Sequence, residues 1–74
     1  MLALLDKHES GWVGIALAVG KEDISLLRSR LDMLEREEIE HFHIRALDFS
    51  KNEGVSDIEV SLLGHDETSN MVID

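Results

Sequence analysis

The sequence predicts an α+β fold, a two-layer arrangement in which one helix covers a mainly antiparallel four-stranded sheet in the order β-β-α-β-β. Three observations carry that prediction. Residues 12–19 and 40–49 alternate with a period of two, as half-buried strands do. Between them Ile24, Leu27, Leu31 and Leu34 recur at helical spacing. Turn-forming clusters, Glu9-Ser10-Gly11 and Ser50-Lys51-Asn52-Glu53-Gly54, divide the flanking segments into two hairpins.

The elements follow in chain order. Residues 2–8 alternate weakly and form the first strand. In the second, Val13, Ile15, Leu17 and Val19 share one face, an aliphatic row suited to a core. The opposite face carries Trp12, Gly14, Ala16 and Ala18. A solvated antiparallel sheet normally shows Lys, Thr or Glu there, so this smooth face is expected to pack against a second copy of the chain as a homodimer interface.

Lys21-Glu22-Asp23 places acids in a first helical turn, where they complement the helix dipole, and the helix is predicted over residues 21–37. Leu26 and Met33 widen its apolar stripe. Ser25, Arg28, Ser29, Asp32 and Arg36 form its polar side. The next strand, Glu40 to Phe49, sets Phe42, Ile44 and Ala46 on one face and His41, His43 and Arg45 on the other, so half of the four histidines share a surface. Ile58, Val60 and Leu62 then alternate with Glu59, Ser61 and Leu63 as the fourth strand. Residues 65–70 are polar, and Met71-Val72-Ile73 is long enough only for a short edge strand or a partner contact. The 74 residues make a single domain, 1–74, without internal repeats or linkers.

A chain of this length buries only about 60% of the surface its unfolded form exposes. There is no cysteine, so disulfides and thiolate metal sites are excluded and self-association is the remaining usual source of extra stability. Sixteen acids against seven Lys and Arg give a net charge of −9, which repels phosphate backbones and anionic membranes and attracts a basic protein partner at low salt. No nucleic-acid or membrane partner is therefore expected. The opening Met1-Leu2-Ala3-Leu4-Leu5-Asp6 is broken after five apolar residues and has no basic flank, so it is read as neither secretion signal nor membrane span, and the protein as cytoplasmic.

Glu35, Glu37, Glu38 and Glu40 crowd the end of the predicted helix, where carboxylates oppose the helix dipole at a cost of about 0.3–1 kcal/mol each. Local stability does not explain them. After Lys51 the chain carries Glu53, Asp57, Glu59, Asp66, Glu67 and Asp74 with no Lys or Arg. Glu35, Glu37, Glu38, Glu40, His41, His43, Asp57 and Glu59 are accordingly the expected partner-binding residues, set against the plainer reading of a solvated face that aids solubility.

His41 and His43, two apart on a strand, are able to converge on one metal ion, with Glu40, Asp48, His8 or His65 available to complete a shell. That spacing is permissive rather than diagnostic, and neither metal nor cofactor is expected. The same pair beside acidic residues suits a pH response, since histidine ordinarily titrates near neutrality and carboxylates favour its charged form. No catalytic residues are expected: there is no thiol, and no serine sits in a nucleophile motif. Gly14 to Gly20-Lys21 departs from a phosphate-binding loop by one residue too many between the glycines and by Glu22 where Ser or Thr should stand.

A helix, an acidic turn and then Glu40-His41-Phe42-His43-Ile44 on the following strand resemble small immunity proteins of bacterial polymorphic toxin systems, over roughly residues 12–49. The resemblance implies a non-enzymatic cytoplasmic protein that blocks a toxin. An acidic surface would suit occupation of a basic nuclease's phosphate-binding site. The expected function is therefore a non-enzymatic acidic interaction protein, with an immunity-type inhibitor as its specific form. The alternative is a small homodimeric ligand-binding or sensory domain whose histidine pair responds to pH or metal.

Overall fold

A computed structural model describes residues 1–74 and gives the element order β1 (Leu2–Lys7), β2 (Val13–Ala18), α1 (Lys21–Glu35), β3 (His41–Arg45) and β4 (Asp57–Ser61). The fold is α+β, with both hairpins antiparallel. The single four-stranded sheet expected from the sequence is not formed: β1 pairs only with β2, and β3 only with β4. Strand periodicity specifies which face is apolar, but it carries no mark of which edge meets which. The Lys7 ammonium, 2.6 Å from the Glu53 carboxylate, ties the first hairpin to the loop of the second.

Residues 8–12 connect β1 to β2, with His8 and Trp12 closing a three-residue turn, Glu9-Ser10-Gly11. His8 N–H donates to the Trp12 carbonyl at 2.9 Å, and Gly11 N–H donates to the His8 carbonyl at 3.2 Å. Gly11 has φ +93°, which a side chain would strain, so glycine closes this turn for a physical reason.

Gly20 precedes α1 in an extended conformation (φ −76°, ψ 166°). It has no side chain to cap the helix, so only the reciprocal half of a capping box forms: its N–H donates to Asp23 Oδ2 at 2.9 Å. The Met1 amino group lies 3.1 Å from the same carboxylate, drawing β1 toward the start of the helix. α1 stops two residues short of the prediction. Glu38 N–H donates to the Met33 carbonyl and Glu37 N–H to the Leu34 carbonyl, both at 2.9 Å, with Glu37 at φ 58°. That is a Schellman closure with glutamate in the left-handed position that glycine usually occupies.

β3 also ends early, at Arg45 rather than near Phe49. Ala46 N–H donates to the Ser56 carbonyl as the last rung, and Asp48 then turns the chain. Its carboxylate accepts the Ser50 N–H at 2.9 Å and the Ser50 hydroxyl at 3.1 Å. A short acidic side chain thus offers the backbone an alternative to the ladder.

Packing is thin. Leu34 on α1 is the one buried residue, 4% exposed. Phe42, Ile44, Ile58 and Val60, on one face of β3–β4, are half-buried, and a cavity of about 220 Å³ lined by Leu26, Leu27, Arg30, Phe42 and Ile44 separates α1 from β3. The row expected to form the core of β2 is instead open, with Val13 57% and Ile15 53% exposed. Between the two hairpins runs a groove of about 890 Å³, lined from one side by Leu2, Leu4 and Leu17 and from the other by Ile44, Phe49 and Val55. The radius of gyration is 14.3 Å, whereas a compact domain of this length has about 11 Å. No helix is long and apolar enough to cross a membrane.

Candidate functional site

The register of the second hairpin sets His41 opposite Ser61, His43 opposite Glu59 and Arg45 opposite Asp57 on one face, while Phe42–Val60 and Ile44–Ile58 pairs fill the other. The ionic face is therefore a direct product of alternation. His41 and His43 meet edge to face, with ring centroids 5.1 Å apart and planes at 88°.

His43 is the centre of this face. Its Nδ1 lies 2.9 and 3.0 Å from the two oxygens of Asp57, diagonally across the ladder, and its Nε2 lies 3.5 Å from Glu59 Oε1. An ionised carboxylate only accepts, so the Asp57 contact assigns the proton to Nδ1. In a neutral imidazole the Nε2 lone pair then faces a second carboxylate. The arrangement is complete only when something positive, a proton or a cation, lies between His43 Nε2 and Glu59. Arg45 Nε, 3.5 Å from Asp57 Oδ1, is the one guanidinium drawn to this cluster.

Of the eight residues expected to bind a partner, the structure brings together His41, His43, Asp57 and Glu59. Glu35 ends α1, Glu37 and Glu38 form its closing turn, and Glu40 immediately precedes β3; all four are exposed. No ion pair links these four to the histidine face; Glu38 instead pairs with Arg36 Nε at 3.1 Å. The acidic surface is thus divided into a helix-end cluster with largely uncompensated charge and a hairpin cluster in which Asp57 is held by His43 and Arg45 while Glu59 faces His43 Nε2. The groups considered able to complete a shell around the histidines, Glu40, Asp48, His8 and His65, are not the ones at hand; Glu59 is. His8 Nε2 sits instead 4.0 Å from Asp6.

Three carboxyls are held below their ordinary range, all outside this face. Asp23 is lowered by the Gly20 N–H and then by the amino terminus, Asp48 by the N–H and hydroxyl of Ser50, and Glu53 by Lys7.

On the first hairpin, Gly14, Ala16 and Ala18 lie on one face of β2, and Trp12 stands in the turn just before it, 79% exposed. Register places Asp6, Leu4 and Leu2 opposite Gly14, Ala16 and Ala18. Leu2 and Leu4 are both more than half exposed, so the smooth face is larger and more apolar than β2 alone indicated. The alternation of Leu2 and Leu4 was the available signal, and only the register connects it to Ala16 and Ala18.

Comparison with known proteins finds no matching family model, no matching curated protein and no matching solved structure.

Proposed function

We propose that this chain is a non-enzymatic interaction protein that self-associates through the β1–β2 hairpin and presents its acidic helix end to a basic protein partner. The observation that carries this reading is surface area. The chain exposes 7006 Å², whereas a compact monomer of 8.3 kDa exposes about 4,600 Å². The difference, roughly 2,400 Å², is as large as the area each partner contributes to an extensive obligate interface. It is apolar in the right places: Leu2, Leu4, Trp12, Val13 and Ile15 are all more than half exposed, as are Met71, Val72 and Ile73 of the tail. Two-stranded hairpins are also marginal by themselves, and both leave edges unpaired. Association that joins those edges is the natural way to reach the four-stranded sheet that the strand pattern calls for.

The partner surface is Glu35, Glu37, Glu38 and Glu40. These carboxylates sit where a helix dipole disfavours them, and only Glu38 among them has a cationic neighbour within the chain. A basic partner would supply the missing positive charge. An immunity-type inhibitor acting in the cytoplasm is the specific form we favour, because a non-catalytic, strongly anionic protein is suited to covering a basic nuclease surface.

Light scattering at micromolar concentration tests the first half. A dimer mass is expected, and a strictly monomeric mass at all accessible concentrations would sink it. For the second half, partners captured from the native host should be lost on joint Glu37→Lys and Glu38→Lys substitution and weakened by salt. An interaction indifferent to both changes would exclude this surface.

The histidine face favours a second reading, a homodimeric sensory or ligand-binding domain. Its distinguishing mark is a response that depends on His43 and is insensitive to charge reversal at Glu37 and Glu38.

A further inference from the structure

We infer that His41, His43 and Glu59 form a binding site for a divalent transition-metal ion of the zinc class. One ligand atom from each residue lies within 4.8 Å of the others. A tetrahedral ion with bonds of about 2.0–2.1 Å holds its ligands about 3.4 Å apart. His43 Nε2 and Glu59 Oε1 are already 3.5 Å apart, so one edge of that tetrahedron is built and His41 closes the set by a side-chain rotation.

The surroundings of His43 argue for a metal rather than a chance grouping. A histidine that binds through one ring nitrogen generally donates the other N–H to a carboxylate, which fixes the tautomer and aims the lone pair. Asp57 does this for Nδ1 at 2.9 Å, and Nε2 lies 3.5 Å from Glu59 Oε1. Two lone pairs facing each other across 3.5 Å call for a proton or a metal ion between them, and zinc titration separates the two. The −9 charge of the chain adds a favourable field for a dication.

Two nitrogens and one oxygen exclude the all-oxygen shells of calcium and magnesium and fit zinc, cobalt or nickel. Three protein ligands leave a fourth position open. Ser61, opposite His41, is small and leaves that side of the face accessible. The open position points to an external fourth ligand, such as water or a donor from a bound partner, and the site adds a metal-dependent element to the surface of the second hairpin.

The test is titration of the full chain with zinc chloride, followed by calorimetry and by the ring-proton NMR signals of the four histidines. One ion per chain is expected, with the His41 and His43 signals moving and those of His8 and His65 unmoved. His43→Ala should abolish binding, Asp57→Asn should weaken it about 10–100-fold, and His65→Ala should leave it intact. Absence of saturable binding at millimolar zinc would overturn the site, as would binding that survives His43→Ala or equal affinity for magnesium. Because the NMR shifts are read on the unaltered chain, the proposal stands or falls even where a variant fails to fold.

Discussion

The two hairpins share a topology and differ in what holds them. β3–β4 separates its chemistry by face: Phe42, Ile44, Ile58 and Val60 turn inward, and His43, Arg45, Asp57 and Glu59 form a ladder of polar contacts outside, with His41 edge-to-face on His43. β1–β2 has no such division beyond Asp6 and Lys7 at its turn end, since Ala3, Leu5, Ile15 and Leu17 on one face are matched by Leu2, Leu4, Ala16 and Ala18 on the other. A hairpin with one apolar face is satisfied by one covering layer. A hairpin with two needs more cover than a single 15-residue helix supplies. The second hairpin is thus close to complete within the chain, and the first is half of something.

The strongest way to sharpen that contrast is truncation. Leu34→Ala removes the one buried side chain and is expected to cost about 3 kcal/mol, near the low end for such changes because most of the surrounding residues are only half-buried and free to relax. Ile15→Ala, at a position 53% exposed within one copy, should cost well under about 1 kcal/mol if the chain works alone and about 2 kcal/mol or more if a second copy covers it. Urea midpoints of both variants, measured at low and high protein concentration, decide between these cases. A concentration-independent, negligible loss at Ile15 would break the comparison.

Ala16→Arg is expected to be next in size. A guanidinium set against Leu2, Leu4 and Ala18 in a closed interface would be largely desolvated, with Asp6 one rung away as its nearest carboxylate, at about 2–3 kcal/mol, or on the order of a 100-fold weaker dimer. Sedimentation should then show the monomer at micromolar concentration. The same substitution on an exposed monomer face would alter neither mass nor stability.

Much of this contrast was legible in the residues themselves. Period two placed His41 and His43 on one face, and the missing polar residues on β2 announced the unusual first hairpin. The helix start was announced by the acids Glu22 and Asp23. Its end was not, because Glu37 takes the left-handed position without a glycine to mark it. The partnership of His43 with Asp57 and Glu59 depends on a register set by residues outside the strands, so the alternation of Asp57, Ile58, Glu59 and Val60 named the right side chains but not their neighbours. The expected four-stranded sheet failed for a similar reason, since unpaired edges leave no trace in composition.

Glu37 offers a smaller test, aimed at the acidic turn that joins α1 to the second hairpin. An L-residue at φ 58° costs roughly 1–2 kcal/mol relative to the right-handed region. Glu37→Gly should therefore raise stability by about 1 kcal/mol in thermal or urea unfolding, and it removes one carboxylate from the proposed partner surface. A more stable variant that binds its partner less well would place this strained residue in recognition. Stabilisation without any loss of binding would restrict the partner surface to Glu35, Glu38 and Glu40.

The smallest effect separates acid sensitivity from the histidine face. Asp23, Asp48 and Glu53 are all held below their ordinary values of 3.8, 3.8 and 4.5, so the folded chain keeps them ionised at a pH where the unfolded chain has begun to bind protons. A depressed carboxyl contributes stability that is fully present above its unfolded pKa and lost as pH falls through the folded one. These three groups should leave stability unchanged from pH 7 down to about 5 and erode it only below about pH 4. Asp48 and Glu53 are exposed and Asp23 is half-buried, so the slope should be shallow, and Asp48→Asn should flatten part of it in urea unfolding at pH 3–5. Glu53 belongs to the ion pair that joins the hairpins, and Lys7→Met should remove its share of the same slope. If Asp48→Asn and Lys7→Met leave the slope intact, neither the Asp48 turn nor the Lys7–Glu53 pair carries the acid response, and that tie contributes nothing to holding the hairpins together.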